Sequence, residues 1–339
     1  MTNLTPSDES YTHQLVAPAA VTAHVDPAWA ERCYHLLHVG DGVILHAGRA
    51  LYPHAGSRTG FAGATNGEVQ HVLRAAEPFA AGEDPDRPTV GPLRIEAVRP
   101  LEEIRLILDQ PAFPLSFDLT FRSRFPPVTT SPIRVEQQGR VVTEYMNLFQ
   151  SGLYSGTVVI DNQEHSVTDR AGFRDRGWGL RKHEGAPRRG LVVACFCELP
   201  RSALYVLLYE TASGGRVFTN GWLIDERGAV DTVADAEHDL LWDGTLLTAG
   251  TLVVDLASGT RRVVEFEVAG RIYLSAAGYS PDPARRHPGS ERLDVTSPEV
   301  VAALDGQNDN ACRFRVDGVE GHGYVETGLG THARYRPAI

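Results

Sequence analysis

The sequence predicts an all-β protein of two antiparallel β units, each closed as a barrel or stacked as a sandwich, with a few short helices. Three observations carry this expectation. Apolar residues recur with a period of two along most of the chain, as strands with one buried face require. Gly 33 and Pro 21 exceed ordinary usage and collect between the alternating runs as turn signals. The 339 residues are more than one small eight-stranded barrel needs, so two units are expected.

Taken in order, residues up to about Val25 read as a loosely ordered lead-in. DPAWAERCYHLLHV then reads as a short helix, with Asp26 as N-cap, Pro27 at the first helical position and apolar Trp29, Cys33, Leu36 and Leu37. In RLILD, Leu106 and Leu108 alternate with Arg105, Ile107 and Asp109; in FDLTF, Phe117, Leu119 and Phe121 alternate with Asp118 and Thr120. TLVVDL and VVEFEV repeat the pattern, with Leu252, Val254 and Leu256, then Val264, Phe266 and Val268, on one side. Turn signals stand at Asp41-Gly42, Ser213-Gly214-Gly215, Arg227-Gly228 and Ser258-Gly259. TSPEVVAALDG is a second helix, capped by Ser297 and followed by Gly306. The seam is placed near His165, after the hairpin VVIDNQEHSV, giving units 1–165 and 166–339.

With 32 Lys+Arg against 43 Asp+Glu, the net charge of −11 argues against nucleic acid as a partner, yet leaves room for a small acidic ligand on a local Arg cluster. The N-terminal MTNLTPSDESYTHQ lacks the basic start and apolar core of a secretory signal. No apolar run reaches the roughly 18 residues of a spanning helix, so a soluble, cytoplasmic protein without a membrane span is expected. Cys195 and Cys197, two apart in LVVACFCELP, match neither a redox nor a zinc pattern and read, with Cys33 and Cys312, as buried thiols. There is no G-x-G-x-x-G after a strand, no P-loop, no nucleophile elbow and no H-E-x-x-H. His35 and His38 are the one helically spaced histidine pair and read as a surface pair rather than as metal ligands. No cofactor and no metal are expected, so unaided side-chain acids and bases would carry any chemistry.

One stretch is dense in such groups: RAGFRDRGWGLR, residues 170–181. If it is extended, Arg174, Arg176 and Trp178 share one side, and Phe173, Asp175 and Gly177 the other. As a site, Asp175 is a general acid in an apolar cavity, its pKa raised by burial and lowered by neighbouring Arg, while Trp178 offers a π face to a developing cation. As structure, the stretch is a corner stapled by Arg–Asp pairs with Trp178 as a plug. The residues divide evenly between the two readings.

GFRDRGWGLR resembles the D-R-S-W-G-x-R signature of carotenoid 1,2-hydratase (hydroxyneurosporene synthase)-like proteins, and VGPLRIEAVRPLEEIRLILD resembles their G-P-L-x-x-E-x-x-x-P segment. QSGLYSGTVVIDNQEHSV and GHGYVETG look like further landmarks, so the resemblance runs from about residue 90 to residue 327. It implies two tandem lipocalin-like domains and chemistry on carbon–carbon double bonds, natural-product cyclases being among the relatives. Gly177 departs from the family's Ser, so any role of that hydroxyl is absent.

The resemblance and the missing cofactor motifs point to a cofactor-independent enzyme that cyclises, isomerises or hydrates a polyene, isoprenoid or polyketide-like substrate. Asp175 and Glu326 are the expected catalytic carboxylates. Trp178, Arg174, Arg181, Tyr145, Trp222, His322 and Tyr324 are the expected substrate contacts. Lys182, Arg188 and Arg189 read as a solvated loop. The partner is a hydrophobic small molecule, and a homodimer is compatible with this reading. The rival from another class is a non-catalytic carrier of an apolar ligand.

Overall fold

The computed structural model describes residues 4–13, 15–16, 21–22, 26–40, 42–80, 82–137, 139–181, 190–279, 285, 287–304 and 306–336. Two antiparallel sheets account for most of them, and the all-β expectation holds. The first contains β1 (Trp29–Gly40), β2 (Val43–Tyr52), β3 (Ser57–Thr65), β4 (Val69–Pro78), β5 (Leu93–Arg99), β6 (Glu103–Leu108), β7 (Leu115–Ser123), β8 (Arg140–Ile160) and β9 (Gln163–Arg181). Its spatial order is β4-β3-β2-β1-β9-β8-β7-β6-β5, extended at the β4 edge by Gly289–Asp294 and at the β5 edge by Thr89–Val90. The second is a closed barrel of β10 (Leu191–Leu199), β11 (Ser202–Glu210), β12 (Arg216–Asp225), β13 (Val230–Asp243), β14 (Leu246–Leu256), β15 (Arg261–Tyr273), β16 (Gln307–Val316) and β17 (Val319–Leu329), β17 pairing back onto β10.

Each sheet curls around its own apolar core. Cys33, Leu37, Leu45, Leu106, Leu119, Phe121 and Tyr154 belong to the first, and Val193, Val206, Leu208, Leu252, Phe266 and Val325 to the second. The alternating runs read from the sequence are β6, β7, β14 and β15, their even or odd positions buried as the pattern requires. The helix expected at TSPEVVAALDG is α1 (Pro298–Ala303), where the Ser297 side chain accepts from the Val300 amide.

Two expectations are corrected. DPAWAERCYHLLHV is not a helix: Trp29 to Gly40 is β1. Asp26 closes a turn at the strand's entry, its carboxylate accepting from the Ala28 amide and its carbonyl from the Trp29 amide. His35 and His38 therefore point to opposite sides, one buried and one exposed, and form no pair. The described part of the lead-in, residues 4–13, is also built into the fold, with a 3-10 turn over Pro6–Glu9 and Tyr11 only 3% exposed in the first core.

The chain forms two compact units: Met1–Ala64 with His71–Glu184 and His287–Arg292, and Thr65–Gln70 with Gly185–Arg286 and Leu293–Ile339. A seam at residue 165 falls inside β9, which pairs with β8 from Gln163 to Arg181. The cause is the turn Asp161-Asn162, both residues at positive φ (50° and 63°), which folds β9 straight back onto β8.

The same hairpin carries a bulge between Tyr154 and Gly156. Gly156 sits at φ +142°, and a Cβ there would lie 2.0 Å from the Asp118 carbonyl oxygen. Gly156→Ala is expected to destabilise the first unit by about 1–3 kcal/mol, read as a lower thermal midpoint.

Candidate active site on the faces of β9

Strand β9 places the residues of the dense stretch on two sides of one sheet. Arg174 and Arg176 pair across β1 with His35 and Cys33, on the side of the core, whereas Asp175 pairs with Tyr34 and, across β8, with Phe149. The period of two separates Asp175 from its flanking arginines, as the extended reading of 170–181 requires.

On the core side the arginines are engaged by residues distant in sequence. Arg174 holds Glu9 through two hydrogen bonds of 2.7 and 2.8 Å and donates its Nε to the Gln150 side-chain oxygen at 2.8 Å. Arg176 reaches the Glu31 carboxylate and the Ser10 carbonyl, each at 2.7 Å. Glu31 also accepts from the His13 backbone amide at 2.9 Å, and its other oxygen lies 2.9 Å from His13 Nδ1. The His13 ring stacks on Trp178 with centroids 3.9 Å apart. Tyr11 lies between the guanidiniums of Arg49 and Arg176, at 4.1 and 4.0 Å.

Burial raises the pKa of Glu9, but the charge and hydrogen bonds of Arg174 outweigh it and hold the carboxyl at about 2. Glu31 is held below its ordinary value in the same way, burial opposing and His13 with Arg176 prevailing. Arg174 and Trp178 are thus parts of a staple that fastens residues 9–13 to the first sheet, with Glu9 and Glu31 rather than Asp175 as the partners. In this arrangement both are engaged by residues of the chain itself.

The opposite side of the sheet is aromatic. Tyr34 lies 6.0 Å from Phe61 and 6.1 Å from both Phe173 and His46, centroid to centroid, and His46 lies 5.3 Å from Phe61. Tyr145, Asn147 and Phe149 of β8 share this side by alternation. Asp175 is half-buried there. The His46 ring faces the Tyr34 hydroxyl at 3.4 Å through Nδ1, and burial pushes its pKa down to about 3, so it is neutral. Gly177 stands against Asn147: a Cβ at 177 would meet Asn147 Oδ1 at 2.7 Å, so the amide fills the room a Ser side chain would take.

In the second unit, Val325 belongs to the core, so Tyr324 and Glu326 turn to the outer side of the barrel. Tyr324 pairs with Phe196, and Phe196, Tyr205 and Trp222 form a ring cluster with centroids 5.9–6.5 Å apart. The Gln307 amide donates to the Glu326 carboxylate. His322 occupies the exposed end of the same row. Trp222, Tyr324 and Glu326 therefore share a face, while Asp175 and Tyr145 lie in the other unit. The Arg181 side chain and residues Lys182, Arg188 and Arg189 lie outside the described residues. Among the described residues no group of three His, Cys, Asp or Glu is arranged to hold a metal ion. None of the described helices is long and apolar enough to cross a membrane.

The sequence did not single out Glu9, Glu31, Tyr34, His46 or Asn147. Alternation within β1 would have shown Tyr34 opposite Cys33 in phase, had that segment been read as a strand.

A family model, Family of unknown function (DUF8625), matches residues 4–276. No curated protein matches the chain. Among solved structures, NE1406 of Nitrosomonas europaea, described as an AttH candidate, is similar at a TM-score of 0.60 and 12% identity, over 93% of this chain and 97% of that one. Kievitone hydratase from Nectria haematococca is similar at 0.54 and 11%, over 95% and 97%. CghA in complex with Sch210972 is similar at 0.52 and 12%, over 97% of each chain. These likenesses establish the tandem lipocalin-like fold that the resemblance of GFRDRGWGLR implied.

Proposed function

The chain belongs to the family of unknown function DUF8625, and we propose that it is a cofactor-independent enzyme acting on carbon–carbon double bonds of an apolar polyene, isoprenoid or polyketide-like substrate. The observation that carries this reading is the half-buried Asp175 carboxyl on a sheet face made of Tyr34, Phe149 and Phe173. The fold's occurrence in a hydratase and in CghA, which binds Sch210972, agrees with it.

Asp175, as the acid, transfers its proton to one alkene carbon, and the cation forms at the other. The rings of Tyr34, Phe149 and Phe173 face that charge, each such contact contributing about 0.5–2 kcal/mol in a dry site. Loss of a proton, attack by a second double bond or capture of water then gives isomerisation, cyclisation or hydration. Holding a flexible chain in one reactive conformation lowers the barrier by several kcal/mol more.

A carrier of lipocalin type would keep its ligand in the barrel interior. Among the described residues the inward side of each sheet carries an apolar core, which favours the enzyme.

Asp175→Asn is expected to cut turnover of linear pathway intermediates about 10²–10⁴-fold without lowering the thermal midpoint. Full turnover by this variant would remove the acid role. Absence of any conversion by the wild-type chain, with an apolar ligand recovered intact by mass spectrometry, would favour the carrier.

A further inference from the structure

We propose that Arg49, Arg58 and Arg87 form an oxyanion site at one end of the first unit, taking a carboxylate or phosphate group. Arg49 of β2 pairs with Cys33 across β1, on the core side, and Arg58 of β3 shares the side of the core residues Ala62 and Ala64. Arg87 comes from the segment between β4 and β5. Arg49 donates from Nη1 to the Arg87 carbonyl, which brings these two together. Arg58 donates from Nη2 to the Asp84 carbonyl at 2.5 Å, three residues before Arg87.

What marks the site is a set of buried donors without acceptors. Arg49 Nε, Arg58 Nε, Arg58 Nη1 and Arg87 Nε have no hydrogen-bond partner among the described residues. Arg58 is only 2% exposed. An unsatisfied buried N–H costs about 1–3 kcal/mol, more on a charged group, so four together call for an acceptor. The rings beside them explain why the guanidinium edges are left over. Arg58 lies over Phe79 at 4.8 Å and Arg49 over Tyr11 at 4.1 Å. Contact through the flat face leaves the in-plane N–H groups to meet an oxyanion, for which guanidinium geometry is suited.

The nearby carboxylates include one buried oxygen, Glu83 Oε2, that itself has no hydrogen-bond partner among the described residues. Glu77 binds Arg87 and the Gly91 amide, and Glu83 lies 3.2 Å from Arg58 Nη2. Asp86 accepts from the Tyr11 amide and the Ser10 hydroxyl, and Asp84 from the Asp86 amide. Arg49 has no carboxylate partner among the described residues. Burial depresses the Arg58 pKa and the charges of Arg87 and Arg49 add to it, while Glu83 and Glu77 oppose the shift without cancelling it. Arg87 is 40% exposed and gives the anion its route from solvent. The site lies on the opposite side of the sheet from Asp175, so it stands or falls independently of the proposed reaction.

The test is calorimetric titration of the full chain with sodium phosphate and, separately, with sodium acetate, at ionic strength held constant with chloride. Saturable binding of at least one is expected, weakened about tenfold or more by Arg49→Gln and by Arg87→Gln. Arg87 is partly exposed on a connecting segment, so Arg87→Gln is expected to keep the wild-type circular dichroism spectrum and remains informative where Arg49→Gln fails to fold. Binding of phosphate alone assigns a phosphate group, and binding of acetate alone a carboxylate. Saturable binding of neither anion below about 10 mM, or binding that folded Arg87→Gln leaves unchanged, overturns the proposal.

Discussion

Glu31→Ala is expected to cost the first unit about 3–5 kcal/mol, because it leaves the Arg176 guanidinium charged, buried and without its carboxylate. Arg176 and Glu31 side chains are 0% and 1% exposed and 2.7 Å apart, so water cannot replace the missing partner. The substitution also strips acceptors from the His13 amide and ring, loosening residues 9–13 where Tyr11 enters the core. A typical domain has only about 5–15 kcal/mol of stability, so a urea midpoint lower by about 1–2 M is the expected readout. The comparison is Asp118→Ala, which breaks the Arg105–Asp118 pair. Those side chains are 48% and 53% exposed, and the expected cost is below about 1 kcal/mol. The double variant Glu31→Leu/Arg176→Met is expected to recover much of the loss, since it removes both buried charges. Equal midpoints for Glu31→Ala and Asp118→Ala would show that the staple contributes nothing.

The contrast explains what could be read from the sequence. Strands with one buried face announce themselves by alternation, and β6, β7, β14 and β15 were legible for that reason. β1 was not. Cys33, Tyr34, His35, Leu36 and Leu37 are all buried, so both sides are covered and the period of two disappears. With Asp26-Pro27 ahead of it, the run imitates a helix start. The site divides in the same way. Alternation alone separates Asp175 from Arg174 and Arg176, and the structure keeps that separation. The partners of those arginines were beyond reach, because Glu9 lies 165 residues from Arg174 and no local pattern encodes such a pairing. Gly289–Asp294, which joins the first sheet from late in the chain, was hidden for the same reason.

The second large effect is on acid stability. Burial pushes the pKa of His35 down to about 3, with the charge of Arg174 adding to it, and burial alone does the same to His46. Burial also lowers His238, against the opposing pull of Glu210. In the unfolded chain His35 and His46 titrate near 6.5, so between 6.5 and 3 they bind more protons unfolded than folded and stability falls as pH falls, His238 acting in the same direction. Their contribution is complete above about pH 7, and each of His35 and His46 forfeits about 2 kcal/mol by pH 5. Glu9 acts lower. Burial raises its pKa, Arg174 overrides that to about 2, and its contribution is present above the unfolded value of 4.5 and lost as pH drops toward 2. Both sets act in the same direction, histidines first and carboxylates after. The thermal midpoint is therefore expected to be level between about pH 7 and 8 and to fall steeply below about pH 6, well before ordinary carboxylates titrate. His46→Leu is expected to flatten the slope by about one proton even where it lowers the midpoint, since the ring that must charge on unfolding is gone. A midpoint unchanged from pH 7 to pH 5 would mean that the histidines are hydrated in the folded protein, and with that the tight packing of His46 against Gly63, where a Cβ would lie 2.6 Å from Nε2, would have to be abandoned.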